Sequence, residues 1–282
     1  MKAGKLNYHL AASLEDAMAL NLAFDGRAKY MAGGQSLMPM MNLRLVLSEE
    51  IIDITRIPEL CQAYSMGEHF FIGAGITHAM LEDGKVHDPA RGYLKHVAHG
   101  IAYRSIRNKG TLGGSLASAD PAADWPTALL ALGADVVIKR GDSEIRIPLT
   151  EFQCGLMETY LMESDIIKGV ILPQLSSDTR WSYLKFCYKV GEFAHSIGAV
   201  VLDPNLGLAR AVLGAAGDKP ILLPLLSAKL SLGLRLDELE SDNFAVLLER
   251  DITEQTSHQK SSYEFHLHKT MITRAVTEVL KK

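Results

Sequence analysis

The alternation of apolar and polar positions divides the first third of the chain into short helices and strands. Ser13 is a suitable N-cap followed by acidic residues, and apolar residues then recur at helical spacing, which predicts a helix over residues 13–24. Residues 28–32 (AKYMA) predict a strand that ends at two glycines, and residues 36–45 predict one or two helical turns. A second strand is predicted from Glu50 to Thr55, so this segment follows an α/β pattern.

The central segment mixes strands with helical stretches. Residues 70–74 (FFIGA) predict a strand, and the forty residues after it predict mostly helix. A further helix is predicted over 126–132, with strands over 135–139 and 166–172. The polar, turn-rich segment 173–179 (PQLSSDT) that follows is the best candidate for a domain boundary.

The C-terminal part of the chain predicts strands first and helices afterwards. Residues 181–188, 194–202 and 209–214 have the apolar character of strands, whereas residues 224–282 predict helix. This order indicates an α+β domain. One apolar face of the last helix is predicted to contain Phe265, Met271, Ile272, Val276 and Val279.

Composition excludes several classes of protein. A chain of 282 residues can form two or three packed domains, and 48% hydrophobic with 22% charged residues is ordinary for a soluble globular protein. A net charge of −4 does not indicate the basic surface that nucleic-acid binding would need. We expect no membrane span and no signal peptide, because no apolar stretch is long enough and the N-terminus has no apolar core. Three widely spaced cysteines indicate reduced thiols in a cytoplasmic protein and are too few for an iron–sulfur cluster.

The first candidate for binding chemistry is the run Gly33-Gly34-Gln35-Ser36. Glycine lets the backbone approach an anion and adopt a positive φ. Successive backbone N–H groups with a serine hydroxyl can bind a diphosphate without a cationic side chain. A single glycine pair is also typical of a tight structural turn, so both interpretations stay open for this run alone.

The second candidate is the segment from Thr111 to Asp124 (TLGGSLASADPAAD), which repeats the glycine pair and here has a serine directly after it. Asp120 and Asp124 could accept hydrogen bonds from ribose hydroxyls or from backbone amides. The alternatives are a turn at Asp120 before a proline and a helix cap at Asp124. The basic stretch 104–110 (RSIRNKG) either steadies a nearby anion or forms a solvated face.

Other chemistry has little support in the chain. GxGxxG and GxxxxGK[ST] are absent, so neither a Rossmann dinucleotide site nor a P-loop is indicated. Neither glycine pair fits GxSxG, so Ser36 and Ser115 are poor nucleophile candidates. The ten histidines are scattered and predict no metal site. Two glycine-rich anion sites could together hold a diphosphate-containing cofactor, although the residues alone do not identify that cofactor.

The two elements together resemble a known family. "AGGQSLMPMMNLRL" and "IRNKGTLGGSLASADPAADWP" resemble the two FAD-binding motifs of the medium subunits of molybdenum hydroxylases, the carbon monoxide dehydrogenase and xanthine dehydrogenase group. The resemblance covers nearly the whole chain. It implies an α+β fold, with a two-subdomain FAD-binding domain of the vanillyl-alcohol oxidase (PCMH) type and a C-terminal domain of antiparallel sheet and helices. The implied boundaries are 1–56, 57–176 and 177–282.

The resemblance also implies how the cofactor is held. The family binds FAD noncovalently between the two subdomains, with the flavin reaching toward the C-terminal domain. The glycine motifs would form a cradle around the diphosphate. Its residues would be Ala32, Gly33, Gly34, Gln35, Ser36 and Leu37 from the first motif and Thr111, Gly114 and Ser115 from the second.

Further positions match the family outside the cradle. Asp124 would hold a polar part of the cofactor, and Ile167 and Lys185 fall on family cofactor positions. Phe193 stands where some members place a tyrosine beside the isoalloxazine ring. An aromatic ring there can still stack on a flavin, although the tyrosine hydroxyl is absent.

The implied function is electron transfer with FAD as the cofactor. A partner chain with molybdopterin would oxidise the substrate, and a second partner with two [2Fe–2S] clusters would relay electrons to this chain. A dimer of heterotrimers is expected, with no side chain of this subunit acting as a general acid or base. The alternatives are a stand-alone FAD oxidase of the vanillyl-alcohol type and a cofactor-free interaction subunit. The substrate stays open, because its pocket lies in another chain. The final electron acceptor stays open as well.

Overall fold

The computed structural model describes residue 2 and residues 4–282, and its first sheet is built from the N-terminal segment. This sheet has three parallel strands in the order β1-β3-β2, connected through helices α1 (Leu14–Ala23) and α2 (Leu37–Asn42). Helical crossovers explain the parallel pairing. The predicted helix and both predicted strands are confirmed. The predicted strands are β2 (Lys29–Met31) and β3 (Glu50–Asp53), and β1 (Asn7–Leu10) precedes the helix.

The second sheet is antiparallel and has five strands in the order β4-β5-β10-β6-β7. The three predicted strands of this segment are confirmed as its centre, whereas the two edge strands were not predicted. A small hairpin of β8 (Gln153–Gly155) and β9 (Glu158–Thr159) lies outside the sheet. The five strands are β4 (Ala63–Met66), β5 (His69–Gly73), β6 (Asp135–Arg140), β7 (Ser143–Pro148) and β10 (Ile166–Pro173).

Six helices belong to this central segment. The expectation of mostly helix after β5 was only partly right, because turns with positive φ at Gly84 and Gly92 break the segment into short helices. The predicted helix at 126–132 is confirmed but begins two residues earlier, at Asp124. The helices are α3 (His78–Glu82), α4 (Tyr93–His99), α5 (Arg104–Arg107), α6 (Leu112–Ser118), α7 (Asp124–Leu132) and α8 (Leu149–Phe152).

The third sheet is antiparallel and is covered by the last helices. Its strands follow chain order, and the three longer ones confirm the predicted strands within two residues at each end. The predicted apolar face of the last helix is confirmed, since all five of its residues are buried. The elements are β11 (Arg180–Phe186), β12 (Ser196–Asp203), β13 (Leu208–Gly214), β14 (Ile221–Leu222), α9 (Pro224–Ser231), α10 (Asp242–Gln255) and α11 (Tyr263–Lys281).

The third sheet is joined to the rest of the molecule through α7. This helix is buried along its whole length and contacts β12 and β13, so the core runs without interruption from the second sheet to the third. Asp203 at the end of β12 is fully buried and accepts hydrogen bonds from Ser176 N, at 2.7 Å, and from Thr179 Oγ1. The turn-rich segment is thereby fixed to the third sheet. The division at 56/57 and 176/177 stays a prediction.

The α+β fold class is confirmed. None of the helices in the described part of the chain is long and apolar enough to cross a membrane.

Candidate cofactor site

The two glycine motifs, distant in sequence, lie against each other through their backbones. A Cβ atom built on Gly33 would lie 2.0 Å from the carbonyl oxygen of Lys109 and 2.8 Å from the Cα atom of Gly110. A Cβ atom on Gly114 would lie 3.7 Å from the Cβ atom of Ala32. A side chain at position 33 is therefore excluded by main-chain atoms that no rotamer change can move. Gly33 lets the first motif approach the second.

The first motif presents backbone donors. Gly34 has a φ of +67°, which reverses the chain direction after β2. Gln35 folds back, and its Nε2 donates to the carbonyl oxygen of Gly33 at 2.8 Å. Within residues 2 and 4–282, the backbone N–H groups of residues 33–37 donate to no protein acceptor, and Ser36 makes no side-chain cap hydrogen bond to α2. Consecutive unused amides beside a serine hydroxyl suit an anion such as a diphosphate.

The second motif is fixed by its own hydrogen bonds. Thr111 is the N-cap of α6, and its Oγ1 accepts from the backbone N–H of Gly114 at 3.0 Å. The two glycines have different roles. A Cβ atom on Gly113 would lie 2.4 Å from the Cβ atom of Ala74 after β5, whereas Gly114 faces the first motif. Ser115, on the first turn of α6, is only partly buried.

A buried ion pair connects α7 with the third sheet. Asp124 accepts from the hydroxyl of Tyr183 at 2.8 Å and from Lys185 Nζ at 3.0 Å. Lys185 Nζ also donates to the carbonyl oxygen of Gly100 at 2.5 Å. Burial raises the pKa of Asp124, and the charge of Lys185 and the Tyr183 hydrogen bond oppose that rise. The capping interpretation of Asp124 was wrong, because Ala123 is the N-cap of α7 and the carboxylate faces the third sheet.

Asp120 occupies a turn. Its Oδ1 accepts from the backbone N–H of Ala122 at 2.9 Å, as the turn interpretation predicts. The residue before it, Ala119, has a φ of +47°, and its carbonyl oxygen accepts from Nε2 of the buried Gln153 at 2.7 Å. Gln153 thus fixes the end of α6. Sequence reasoning missed it because it lies on a different element, and a cofactor role for Asp120 stays a prediction.

The remaining two predicted residues lie in different environments. Ile167 is 5% exposed and pairs with Ile138 of β6 at a bulge in β10. Phe193 is 63% exposed and lies on the loop between β11 and β12. In the same loop, a Cβ atom on Gly191 would lie 2.8 Å from the ring of Tyr103, so the loop rests on the segment that leads to the second motif.

An ion-pair network supports that segment. Arg107 is 9% exposed, and its Nε and Nη2 donate to the two carboxylate oxygens of Glu82 at 2.7 and 2.9 Å. Its Nη1 donates to the carbonyl oxygen of Ile101 at 2.8 Å. The hydrogen bonds from Arg107 hold the pKa of Glu82 down at about 2. The solvated-face interpretation of the basic stretch was therefore wrong for Arg107, whose guanidinium is buried and hydrogen-bonded to other residues of the protein.

Comparisons with known proteins agree with this geometry. Residues 4–175 match the family described as FAD binding domain in molybdopterin dehydrogenase. The 6-hydroxypseudooxynicotine dehydrogenase complex subunit alpha of Paenarthrobacter nicotinovorans is 30% identical over 100% of this chain and 97% of its own length. The nicotine 6-hydroxylase medium subunit of the same organism is 34% identical over 78% of this chain and 77% of its own.

A solved structure resembles the whole chain. Reconstituted CO dehydrogenase from Oligotropha carboxidovorans contains a chain with a TM-score of 0.89 and 25% sequence identity, covering 100% of this chain and 99% of that one. The resemblance predicted from the glycine motifs is thereby confirmed, as is FAD as the cofactor. This chain belongs to the FAD-binding medium subunits of molybdenum hydroxylases and is an oxidoreductase component.

Proposed function

We propose that this chain receives electrons from the [2Fe–2S] clusters of a small partner subunit and passes them to an external acceptor. The molybdopterin-binding large subunit of the same complex would oxidise the substrate. When bound, FAD supplies the chemistry that links single-electron delivery to a two-electron acceptor. The observation that carries the proposal is the backbone contact of Gly33 with Lys109 and Gly110, which brings the two motifs together as one cradle would require.

The residues of the chain would bind and orient the cofactor. The free amides of residues 33–37 and the hydroxyls of Ser36 and Ser115 would bind the diphosphate, with Thr111 holding the second motif in place. Hydrogen bonds to a charged acceptor contribute about 1.5–3 kcal/mol each, so a few amides can replace the lysine of a P-loop. Ala32, Gly34, Gln35, Leu37 and Gly114 would complete the cradle.

The residues around the flavin end of the cofactor are proposed from their positions in the fold. Lys185 joins the third sheet to Gly100, and the loop that carries Phe193 rests on Tyr103. Both contacts bring the C-terminal part of the chain to the segment that leads to the second motif. We propose that Phe193 stacks on the isoalloxazine ring, that Asp124 and Lys185 set the polarity beside the cofactor, and that Ile167 contributes an apolar wall.

The assembly is also a proposal. Relatives are named as a complex subunit and as a medium subunit, which favours a multi-subunit enzyme over a stand-alone oxidase. A dimer of heterotrimers, a cytoplasmic location and the domain boundaries given above belong to the same hypothesis.

Three measurements test this function. The full chain should purify with noncovalent FAD, seen as a flavin absorbance band that is released by acid precipitation. The complex purified with its partner subunits should contain molybdenum and iron. Substrate should then reduce the iron–sulfur clusters whether or not FAD is present, whereas reduction of the external acceptor should need FAD. A flavin-free complex that reduces the acceptor at the full rate would refute the role in electron transfer.

A further inference from the structure

His78, the first residue of α3, is buried beside Gly110 at the start of the second glycine motif. It is 5% exposed, and Nε1 of the fully buried Trp125 lies 2.9 Å from its Nδ1. The indole N–H can only donate, so Nδ1 must accept. A neutral imidazole with an accepting Nδ1 carries its proton on Nε2. The orientation of the ring is therefore set by Trp125, and its second nitrogen is a hydrogen-bond donor.

This donor lies at the junction of the two motifs. The backbone N–H of His78 donates to the carbonyl oxygen of Gly110 at 3.0 Å. A Cβ atom on Gly110 would lie 2.8 Å from Nε2 of His78. The imidazole edge therefore packs against Gly110 so closely that only a glycine fits there. Gly110 is also the residue whose Cα atom is in contact with Gly33.

The Nε2–H group has no hydrogen-bond acceptor in the described part of the protein. No hydrogen bond from Nε2 is present among residues 2 and 4–282. Three polar side-chain atoms of the described chain are sealed from solvent without a partner, on Asn21, Thr127 and Asp251, and Nε2 of His78 is not one of them. A histidine this deeply buried normally has both ring nitrogens bonded. An oriented donor next to Gly110, whose Cα atom contacts Gly33, is therefore free for an acceptor from outside the protein.

The charge state of the ring is consistent with this role. Burial, together with the positive charge of Arg107, lowers the pKa of His78 to about 4. The imidazole is therefore neutral at physiological pH and keeps a single, fixed N–H donor. It adds a hydrogen bond to the cradle without adding a titrating charge.

We propose that Nε2–H of His78 donates a hydrogen bond to a diphosphate oxygen of bound FAD, with Trp125 as the residue that fixes the donor. The inference rests on the proposed function of the cradle and adds a binding residue that neither glycine motif contains. The ligand class is a diphosphate ester, and the N–H group recognises its anionic oxygen.

Paired substitutions at position 78 separate the donor from the packing. In His78→Asn, the side-chain oxygen can still accept from Trp125, but no donor reaches the Nε2 position. In His78→Gln, the longer side chain can return an N–H near that position. We expect the Kd of the flavin-free full chain for FAD to rise roughly tenfold or more in His78→Asn and to recover most of that loss in His78→Gln.

A spectroscopic measurement tests the hydrogen bond directly. With ¹⁵N-labelled histidine, the Nε2–H resonance of His78 should move downfield when FAD is added, and ADP should produce the same shift because it carries the diphosphate. Riboflavin, which has no phosphate, should leave the resonance unchanged. Trp125→Phe should weaken FAD binding and broaden the His78 resonance, since the ring loses its orienting donor.

The outcomes distinguish this inference from the function on which it rests. If the wild-type chain binds no FAD, the proposed function fails as well. If FAD binds but the His78 resonance does not respond, or if His78→Asn binds FAD as tightly as wild type, the donor role alone is wrong. Equal losses in His78→Asn and His78→Gln, matched by equal losses of thermal stability in the flavin-free chain, would show that His78 only packs against Gly110.

Discussion

The contact between the two glycine motifs makes Gly33→Ala the sharpest test of the cradle. The new methyl group would lie 2.0 Å from the carbonyl oxygen of Lys109, whereas real Cβ atoms essentially never come within 3.0 Å of a non-bonded heavy atom. The motifs must therefore separate by about 1 Å. Because both partners are backbone, the strain cannot be relieved by a rotamer change, and we expect a loss of about 1–3 kcal/mol in folding free energy.

The same displacement should weaken FAD binding more than it weakens the fold. If the shift breaks one or two amide hydrogen bonds to the diphosphate, the loss is about 2–4 kcal/mol, or roughly a 30- to 1,000-fold rise in Kd. Fluorescence titration of the flavin-free chain with FAD gives the Kd, and urea denaturation of the same preparation gives the folding free energy.

A matched control is available at Gly217. A Cβ atom there would meet only the Cδ1 atom of Ile221, at 3.5 Å, so Gly217→Ala should leave both the Kd and the stability near wild type. Ser36→Ala removes a hydroxyl from the cradle without a clash, and it should raise the Kd several-fold at unchanged stability. A Gly33→Ala chain that binds FAD within twofold of wild type would refute the idea that the approach of the motifs creates the site.

Three further outcomes follow from the surrounding contacts. Lys185→Met should cost about 3 kcal/mol, because it leaves the Asp124 carboxylate buried without its cation, and urea denaturation should show that Asp124→Asn in the same chain restores part of the loss. Glu82→Gln should destabilise the chain at pH 7. Because the pKa of Glu82 lies at about 2 rather than its ordinary 4.5, the difference from wild type should shrink as the pH falls below 4.5, and a constant difference from pH 3 to 7 would contradict the Arg107 pair. Thr111→Val should cost about 1 kcal/mol in thermal unfolding through loss of the α6 cap and should weaken FAD binding, whereas Thr111→Ser should retain both.

Elements with strong local signals were predictable from sequence. Helix α1 begins where Ser13 predicts it, and the Ser13 hydroxyl accepts from the backbone N–H of Asp16 at 3.1 Å. The face of α11 was predicted from its helical spacing, because burial on one side of a helix leaves that period in the chain. The central strands of the second sheet were predicted from apolar runs, because the burial of these strands requires apolar residues along them.

Elements that depend on a neighbour were not predictable. Strands β4 and β7 lie at the two edges of the second sheet, and most of their side chains are exposed. Their residues carry no apolar run, so only the hydrogen bonds of β5 and β6 make them strands. The stretch after β5 had the apolar content of a helix, but positive-φ glycines and the packing of α3 and α4 divided it.

The amino-acid sequence by itself predicted which residues bind a diphosphate, because a glycine pair with a serine close behind it frees the backbone and places a hydroxyl beside it. It also carried the family resemblance, which led to FAD. Only the tertiary structure brought Gly33 against Gly110, paired Asp124 with Lys185 and turned His78 toward the junction. Each of these contacts joins segments dozens of residues apart, and their distance in space is set by how the sheets and α7 pack. The chain therefore encodes the glycines and hydroxyls locally, and the folded core decides that the two motifs lie against each other.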